Sequence, residues 1–481
     1  MKFHIKYIVF ISLLVTSFGC KRTLEENANL APDTVLTPES INLTGDDRLN
    51  SVVFLSWFGS DKDGYIKGYE ISLDNQNWVF TTQNDSTFNF TLEPGSDTTD
   101  IDFYVRAIDN DSLIDPTPAY LKVPLKNTPP VALFNEKGFP VDTVNIVTTF
   151  RWNAVDVDGD ETIIKAYLKA NQGDWMEIDV NEKMLSIVPV NSSQTGTVDA
   201  HVYYGTNDLP LTEKLNGLVV GDTNHFYIKV VDFANAESEP DTSDVLYIKP
   251  KTSDLLYVTG LSAPPTNVYK GVMDNNMTSY DALDYAVDGG KYQPAFWSPT
   301  FDLLLEHYED IVFTSDESNF TNVVTGRKDV LLEFAAPSLQ VFSNNGGKSL
   351  IVTSFTKGQD ISGISSTLPI DSLSSSNGQA RLVPDSTISS PFGANYPALS
   401  PTFILSGVSP FYMSIGAEEV YVGHLVKQGG WVGPSTVGAR RKDGNNNIYQ
   451  YFFSVQLYKM DQQISDLEIL FDQILNNDFN W

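Results

Sequence analysis

The 481-residue chain repeats itself between Ala31 and Pro250, and that repetition constrains its fold more than any other feature. The first copy reads Phe54-Leu-Ser-Trp-Phe-Gly-Ser-Asp-Lys-Asp-Gly64, then Ile66-Lys-Gly-Tyr-Glu-Ile-Ser-Leu73, Trp78 and Phe103-Tyr-Val-Arg-Ala-Ile-Asp109. The second answers with Phe150-Arg-Trp-Asn-Ala-Val-Asp-Val-Asp-Gly159, Ile164-Lys-Ala-Tyr-Leu168, Trp175 and Phe226-Tyr-Ile-Lys-Val-Val-Asp232. Apolar and polar residues alternate with period two, punctuated by Gly, Asp and Pro, which predicts antiparallel strands of a sandwich. The copies span 38–127 and 128–250, joined by Lys126-Asn-Thr-Pro-Pro130, a linker stiffened by its prolines. A chain this long exceeds one hydrophobic core, so a further domain is expected over 251–481. The second copy carries an insertion near 191–220, expected at the end where the chain leaves for that further domain and to pack against it; its Tyr203, Tyr204 and Leu209 argue against pure disorder.

The repeat resembles fibronectin type III and related immunoglobulin-like modules. The resemblance implies that Trp57 and Trp152 are core tryptophans of strand B and that Tyr104 and Tyr227 lie on strand F. It also implies that the B–C and F–G loops gather at one end. Asp61, Asp63, Asp109 and Asp111 fall on those loops in the first copy, and Asp156, Asp158, Asp160 and Asp232 in the second. Oxygen-rich clusters suit calcium, a hard cation that takes several carboxylate and carbonyl ligands. Aspartates also close turns on their own backbone. Neither copy has the additional spaced ligand and terminal Glu of an EF-hand-like loop. Calcium as a cofactor and plain turn chemistry are therefore the two readings of these loops.

Beyond Pro250 the pattern changes. Asp254–Gly260, Ile311–Ser315 and Lys348–Phe355 are apolar runs suited to buried strands, and Lys328-Asp-Val-Leu-Leu-Glu-Phe-Ala-Ala has helical spacing. Tyr449–Val455 gives a last strand before an amphipathic helix from Ile464 to Leu475. Strands alternating with helices predict a parallel sheet with right-handed crossovers. The fold class expected is thus multidomain: two all-β sandwiches followed by an α/β domain with a mainly parallel sheet.

This element order resembles the flavodoxin-like, class I glutamine-amidotransferase-like fold. The resemblance implies a nucleophilic cysteine on the turn after Lys348–Phe355, but the turn reads Thr353-Ser-Phe-Thr-Lys-Gly358 and the domain holds no cysteine. The thiolate and its relay therefore have no counterpart, and an inactive domain is expected. The catalytic alternative is Ser354 as nucleophile with His424 as base, an envelope hydrolase acting on glycans or esters. A serine needs such a base within hydrogen-bond reach, oriented by a third group, and no G-x-S-x-G elbow surrounds Ser354. Gly346-Gly-Lys-Ser349 lies between a helix and a strand, the reverse of a phosphate loop, and reads as a helix C-cap. The five histidines show no zinc spacing. Residues 356–402 form a long Ser-, Pro- and Gly-rich loop beside the strand ends that border the ligand crevice of an open parallel sheet. Candidate ligand-binding residues are Asp316, Glu317, Trp297 and Trp431, the tryptophans as stacking platforms for sugars and the carboxylates in the crevice.

The N-terminus completes the reading. Lys2 and Lys6 precede an apolar stretch, Tyr7 to Val15, too short for a permanent span, so 1–19 reads as a secretory signal. Ser17-Phe-Gly-Cys20 resembles the lipobox of bacterial lipoproteins. That resemblance implies acylation of Cys20, anchoring to the outer membrane, and a tether over 20–37. Cys20 is the only cysteine, which excludes an internal disulfide. A net charge of −30 repels phosphate backbones and excludes nucleic acid as a partner. The expected protein is a non-catalytic, envelope-anchored lipoprotein, partnered by the membrane through its lipid and by an envelope protein or glycan.

Overall fold

The computed structural model describes residues 28–480 apart from Glu39, Asn42, Thr91, Glu93, Pro94, Gly95, Met277, Thr278, Ser375, Ser376 and Asp461. The signal segment, Cys20 and the start of the tether lie outside the described residues. No helix among the described residues is long and apolar enough to cross a membrane. The chain divides into two compact units, one ending at Thr128 and one starting at Pro129.

In the first unit the alternation of the sequence becomes the alternation of two packed sheets. Strand Val52–Ser60 buries every second residue and pairs antiparallel with Asp33–Thr37 and Asp85–Asn89. The facing sheet runs Val79–Thr81, Ile66–Ser72, Thr98–Asp109, Ala119–Lys126. In sandwich letters the sheets read A-B-E and C′-C-F-G, the arrangement of a fibronectin type III-like module. Trp57 fills the space between them against Tyr69 and Phe103, with centroids 6.2 and 6.1 Å away. Its indole N–H donates to the Gln83 carbonyl at 3.0 Å, so burying the ring leaves no donor orphaned.

The second unit opens with the other copy of this plan. Thr148–Val155 carries Trp152, whose N–H donates to the Glu182 carbonyl at 2.9 Å. Ile163–Ala170 pairs with Phe226–Asp232 in the facing sheet. The segment expected as an inserted loop is instead two strands, Gly196–Tyr204 and Leu215–Val220. They widen the first sheet to the order 215–220, 196–204, 184–189, 148–155, 131–134. The exit strand Leu246–Lys249 pairs parallel with Thr143–Asn145.

From there the chain builds an eight-stranded sheet. Its order is Asp281–Asp284, Leu255–Thr259, Asp310–Thr314, Lys348–Val352, Ile448–Phe453, Thr436–Lys442, Glu418–Gly423, Ile388–Ser389. The first five strands are parallel and the last three antiparallel. Leu255–Thr259 and Asp310–Thr314 are buried at every residue, which is why they read as continuous apolar runs. Their alternate side chains feed two different clusters. Leu256, Val258, Ile311 and Phe313 join helices Trp297–Leu305 and Leu331–Asn344 on one face. Leu255, Tyr257 and Val312 join helices Ala263–Asn276 and Ile464–Asp472 on the other.

Leu331–Asn344 ends as a capped helix: Gly346 adopts φ +94° and the Gly347 N–H donates to the Phe342 carbonyl at 3.0 Å. The long 356–402 segment is partly strand, at Ile370–Leu373, Gln379–Leu382 and Ile388–Ser389, and it buries Ile361, Ile364 and Leu368. The second sandwich keeps a core of its own around Phe150, Trp152 and Phe226, but it lends Ile146, Val147, Val188 and Tyr203 to the first of these two clusters, which seals the seam with the sheet. At the same seam Lys291 pairs with Asp142 at 3.3 Å, and the Arg151 guanidinium sits 4.8 Å over Phe296. Tyr204, by contrast, packs against the sandwich's own core, and Leu209 is exposed.

Candidate functional site

Four places carry the residues singled out by sequence, and a fifth was not foreseen. The first is the turn after Lys348–Val352. Ser354 donates its hydroxyl to Glu317 Oε2 at 2.5 Å and accepts from Gln456 Nε2 at 3.1 Å. His424 is engaged elsewhere, its Nε2 3.1 Å from the Ser389 hydroxyl and its backbone N–H on Thr387. The structure thus does not form the Ser354–His424 pair, because His424 leaves Glu418–Gly423 at the far antiparallel edge while Ser354 leaves a central parallel strand. Asp316 closes a local turn by accepting the Ser318 N–H. Its charge and that of Glu317 help burial to push the Tyr458 phenol upward.

The second place is the acidic turns of the first sandwich. Asp109 is buried; its Oδ1 accepts the N–H groups of Asp111 and Leu113, and its Oδ2 accepts the Asn29 amide. Burial alone would raise this carboxyl, but the Asn29 amide and the loop N–H groups outweigh it and hold it below the usual range. Asp61 accepts from Asp63 N and Asp63 from Leu30 N. Asp111 is exposed.

In the second sandwich the corresponding turn is closed by Asp156, which accepts Asp158 N at 2.9 Å and the Thr162 hydroxyl at 2.8 Å, while Asp160 accepts Asp156 N. Asp232 accepts Ala236 N. Burial, together with the nearby charges of Asp158 and Asp232, raises the Asp156 carboxyl. Among the described residues no group of three or more acidic, His or Cys side chains is arranged to hold a metal ion. These aspartates make the turn contacts that the simpler reading requires.

The aromatic platforms are corrected outright. Trp297 is buried in the shared core, stacked on Phe334 at 5.8 Å and edge-on to Phe301 and Tyr285. Trp431 is also buried, and its backbone runs so close to Gly378 that a Cβ added there would lie 2.2 Å from the Trp431 backbone nitrogen. Neither ring offers a face to a sugar, since packing covers the surface that stacking would use.

The fifth place is a cavity of about 650 Å³ at the seam between the second sandwich and the edge strand Asp281–Asp284. Val144, Val147, Leu283 and Leu304 give it apolar walls, with Tyr285 and Tyr292 beside them. Lys137, Lys249, Lys270 and Lys291 line it together with Glu136 and Asp284. Gln293 Nε2 donates to the Gly290 carbonyl, which fixes the amide, and leaves its Oε1 buried without a partner. The buried Thr300 hydroxyl on the same lining also lacks one. None of Asp316, Glu317 and Ser354 lines this cavity. Sequence reasoning missed it because its walls come from segments more than a hundred residues apart. The only local signal was the lysine-bearing strand end at Lys249.

Comparison with known proteins yields no family model that matches and no match among curated proteins. Among solved structures the chain is similar to fibronectin(III)-like modules of Clostridium thermocellum CbhA, at 12% identity and TM-score 0.18, covering 42% of this chain and 87% of that one. It is also similar to PurLQS from Thermotoga maritima, at 12% identity and TM-score 0.28, covering 46% and 97%. A third is Bacteroides ovatus SGBP-B, solved in complex with a mixed-linkage heptasaccharide, at 9% identity and TM-score 0.14, covering 46% and 71%.

Proposed function

We propose that the chain is a non-catalytic lipoprotein of the bacterial envelope, anchored through Cys20, whose β-sandwiches and α/β body bind a protein or glycan partner. One observation carries this reading: the hydroxyl at the seat of the expected nucleophile is held by Glu317 and Gln456, while His424, its expected base, is bonded to Ser389. A serine so placed lacks the oriented base that nucleophilic attack requires. The parallel strands support the ancestry in this proposal. Numbered along the chain, their order is 2-1-3-4-5, the doubly wound order of flavodoxin-like folds, with the switch point between Leu255–Thr259 and Asp310–Thr314. The body is then a degenerate amidotransferase-like domain.

The opposite reading has one point in its favour, the 2.5 Å contact between Ser354 and a carboxylate. Incubation of purified protein with p-nitrophenyl acetate and with γ-glutamyl-p-nitroanilide decides between them. No release above buffer is expected; turnover that disappears in Ser354→Ala would overturn the proposal. Anchoring is tested separately: Cys20→Ala should move the protein from the membrane to the soluble fraction, and an unchanged distribution would refute it. A glycan array, read with and without calcium, separates glycan from protein partners.

A further inference from the structure

We propose that the seam cavity is a binding site for a small amphipathic organic anion, one with an apolar body and an anionic group. The inference rests on reading this unit as a binding body rather than an enzyme. The size is right, since about 650 Å³ lies in the range of sites for small organic ligands. Its walls are mainly apolar and sit on a seam held by a shared core, so the shape is set before a ligand arrives.

Charge selects the class. The whole chain has 61 acidic against 31 basic residues, yet here lysines outnumber carboxylates. Lys291 is engaged by Asp142 and Asp288. Lys137, Lys249 and Lys270 make no ion pair among the described residues and face only Glu136 and Asp284 as lining acids. An anion entering this site meets an excess of ammonium over carboxylate groups in a protein whose overall charge repels it.

The probe is 8-anilinonaphthalene-1-sulfonate, which combines fused rings, a sulfonate and an anilino N–H; its uncharged counterpart is N-phenyl-1-naphthylamine. Fluorescence titration of the folded full chain should show one saturable sulfonate site. The double variant Lys249→Glu, Lys270→Glu should weaken it by about tenfold or more, as two charge reversals beside an anion demand, while the uncharged dye changes by less than about threefold. Val287→Trp, at an exposed lining position, should remove both dyes from the site. Thermal melts of each variant check that the fold is kept. Unsaturable binding, equal affinity for the two dyes, or sulfonate affinity unmoved in both variants overturns the proposal. Ester turnover lost in Ser354→Ala would remove the non-catalytic reading and leave these titrations unchanged, so the two failures are distinguishable.

Discussion

The two sandwich copies close their acidic turns with the same backbone bonds and treat the carboxylates differently. In the first, Asp109 N donates to Leu113 O and Asn110 N to Tyr65 O; in the second, Asp232 N donates to Ala236 O and Phe233 N to Thr162 O. The turn is therefore a property of the repeat. The surroundings are not: at the D-x-D-G turn Asp61 is half-buried and accepts Asp63 N, whereas Asp156 is buried, accepts the Thr162 hydroxyl as well as Asp158 N, and is raised by that burial. A D-x-D-G stretch thus specifies where the chain bends before it specifies what the side chains do.

The largest test asks how separate the copies are. Trp57→Ala and Trp152→Ala should each cost about 3–5 kcal/mol by leaving a cavity in a dry core. The first should lower only the melting of the unit ending at Thr128; the second, whose sandwich lies in one compact unit with the eight-stranded sheet and packs on it through Ile146 and Tyr203, should also loosen that sheet. Calorimetry with limited proteolysis reads the difference, and equal spreading from both sites would break the comparison.

Next comes a buried acid with no compensating turn. Burial pushes the Asp310 carboxyl up to about 6, with Lys348 3.9 Å away opposing it. A folded value above the unfolded one means its contribution to stability is fully present below about pH 4 and lost as pH rises through 6. Asp310→Asn should therefore gain about 3 kcal/mol at pH 8 and almost nothing at pH 4, measured by urea denaturation.

The same sign rule separates the two turns. Asp109, held low, contributes stability above its unfolded value that is lost as pH falls through its folded one. Asp156, held high, contributes below its unfolded value and loses that as pH rises through its folded one. On acidification below about pH 4 the first unit should weaken ahead of the second. Acid titration of the two melting transitions checks the order, and its reversal would contradict the assignment.

The smallest expected effect is that of calcium. Millimolar calcium should shift neither transition by more than about 1 °C, the change expected when ligand does not bind the native state. A rise of several degrees, abolished by Asp158→Asn, would restore the cation to the second copy.

Much of this architecture was legible because burial leaves a mark on the sequence. The period-two strands, the paired tryptophans Trp57 and Trp152, and the apolar runs at 255–259 and 310–314 all follow from which sides of a strand meet the core. What escaped has physical causes too. Gly196–Tyr204 alternates well enough to be a strand, but its turn-rich flanks made it read as a loop. Asp281–Asp284 is four residues long and half acidic, recruited by its neighbour rather than by its own propensity. Trp297 and Trp431 look like surface aromatics between polar residues, and only tertiary packing hides them. His424 and Ser354 could be paired on paper because sequence carries no distance.

The way the parallel strands send alternate side chains into two clusters makes the sheet a bulkhead. A layer of hydrogen-bonded backbone stands between the seam side and the side that holds the chain's final helix, so a change of volume in one compartment meets peptide planes before it reaches the other. Such a wall lets side chains along the seam change, generation by generation, without reopening the question of how the protein folds.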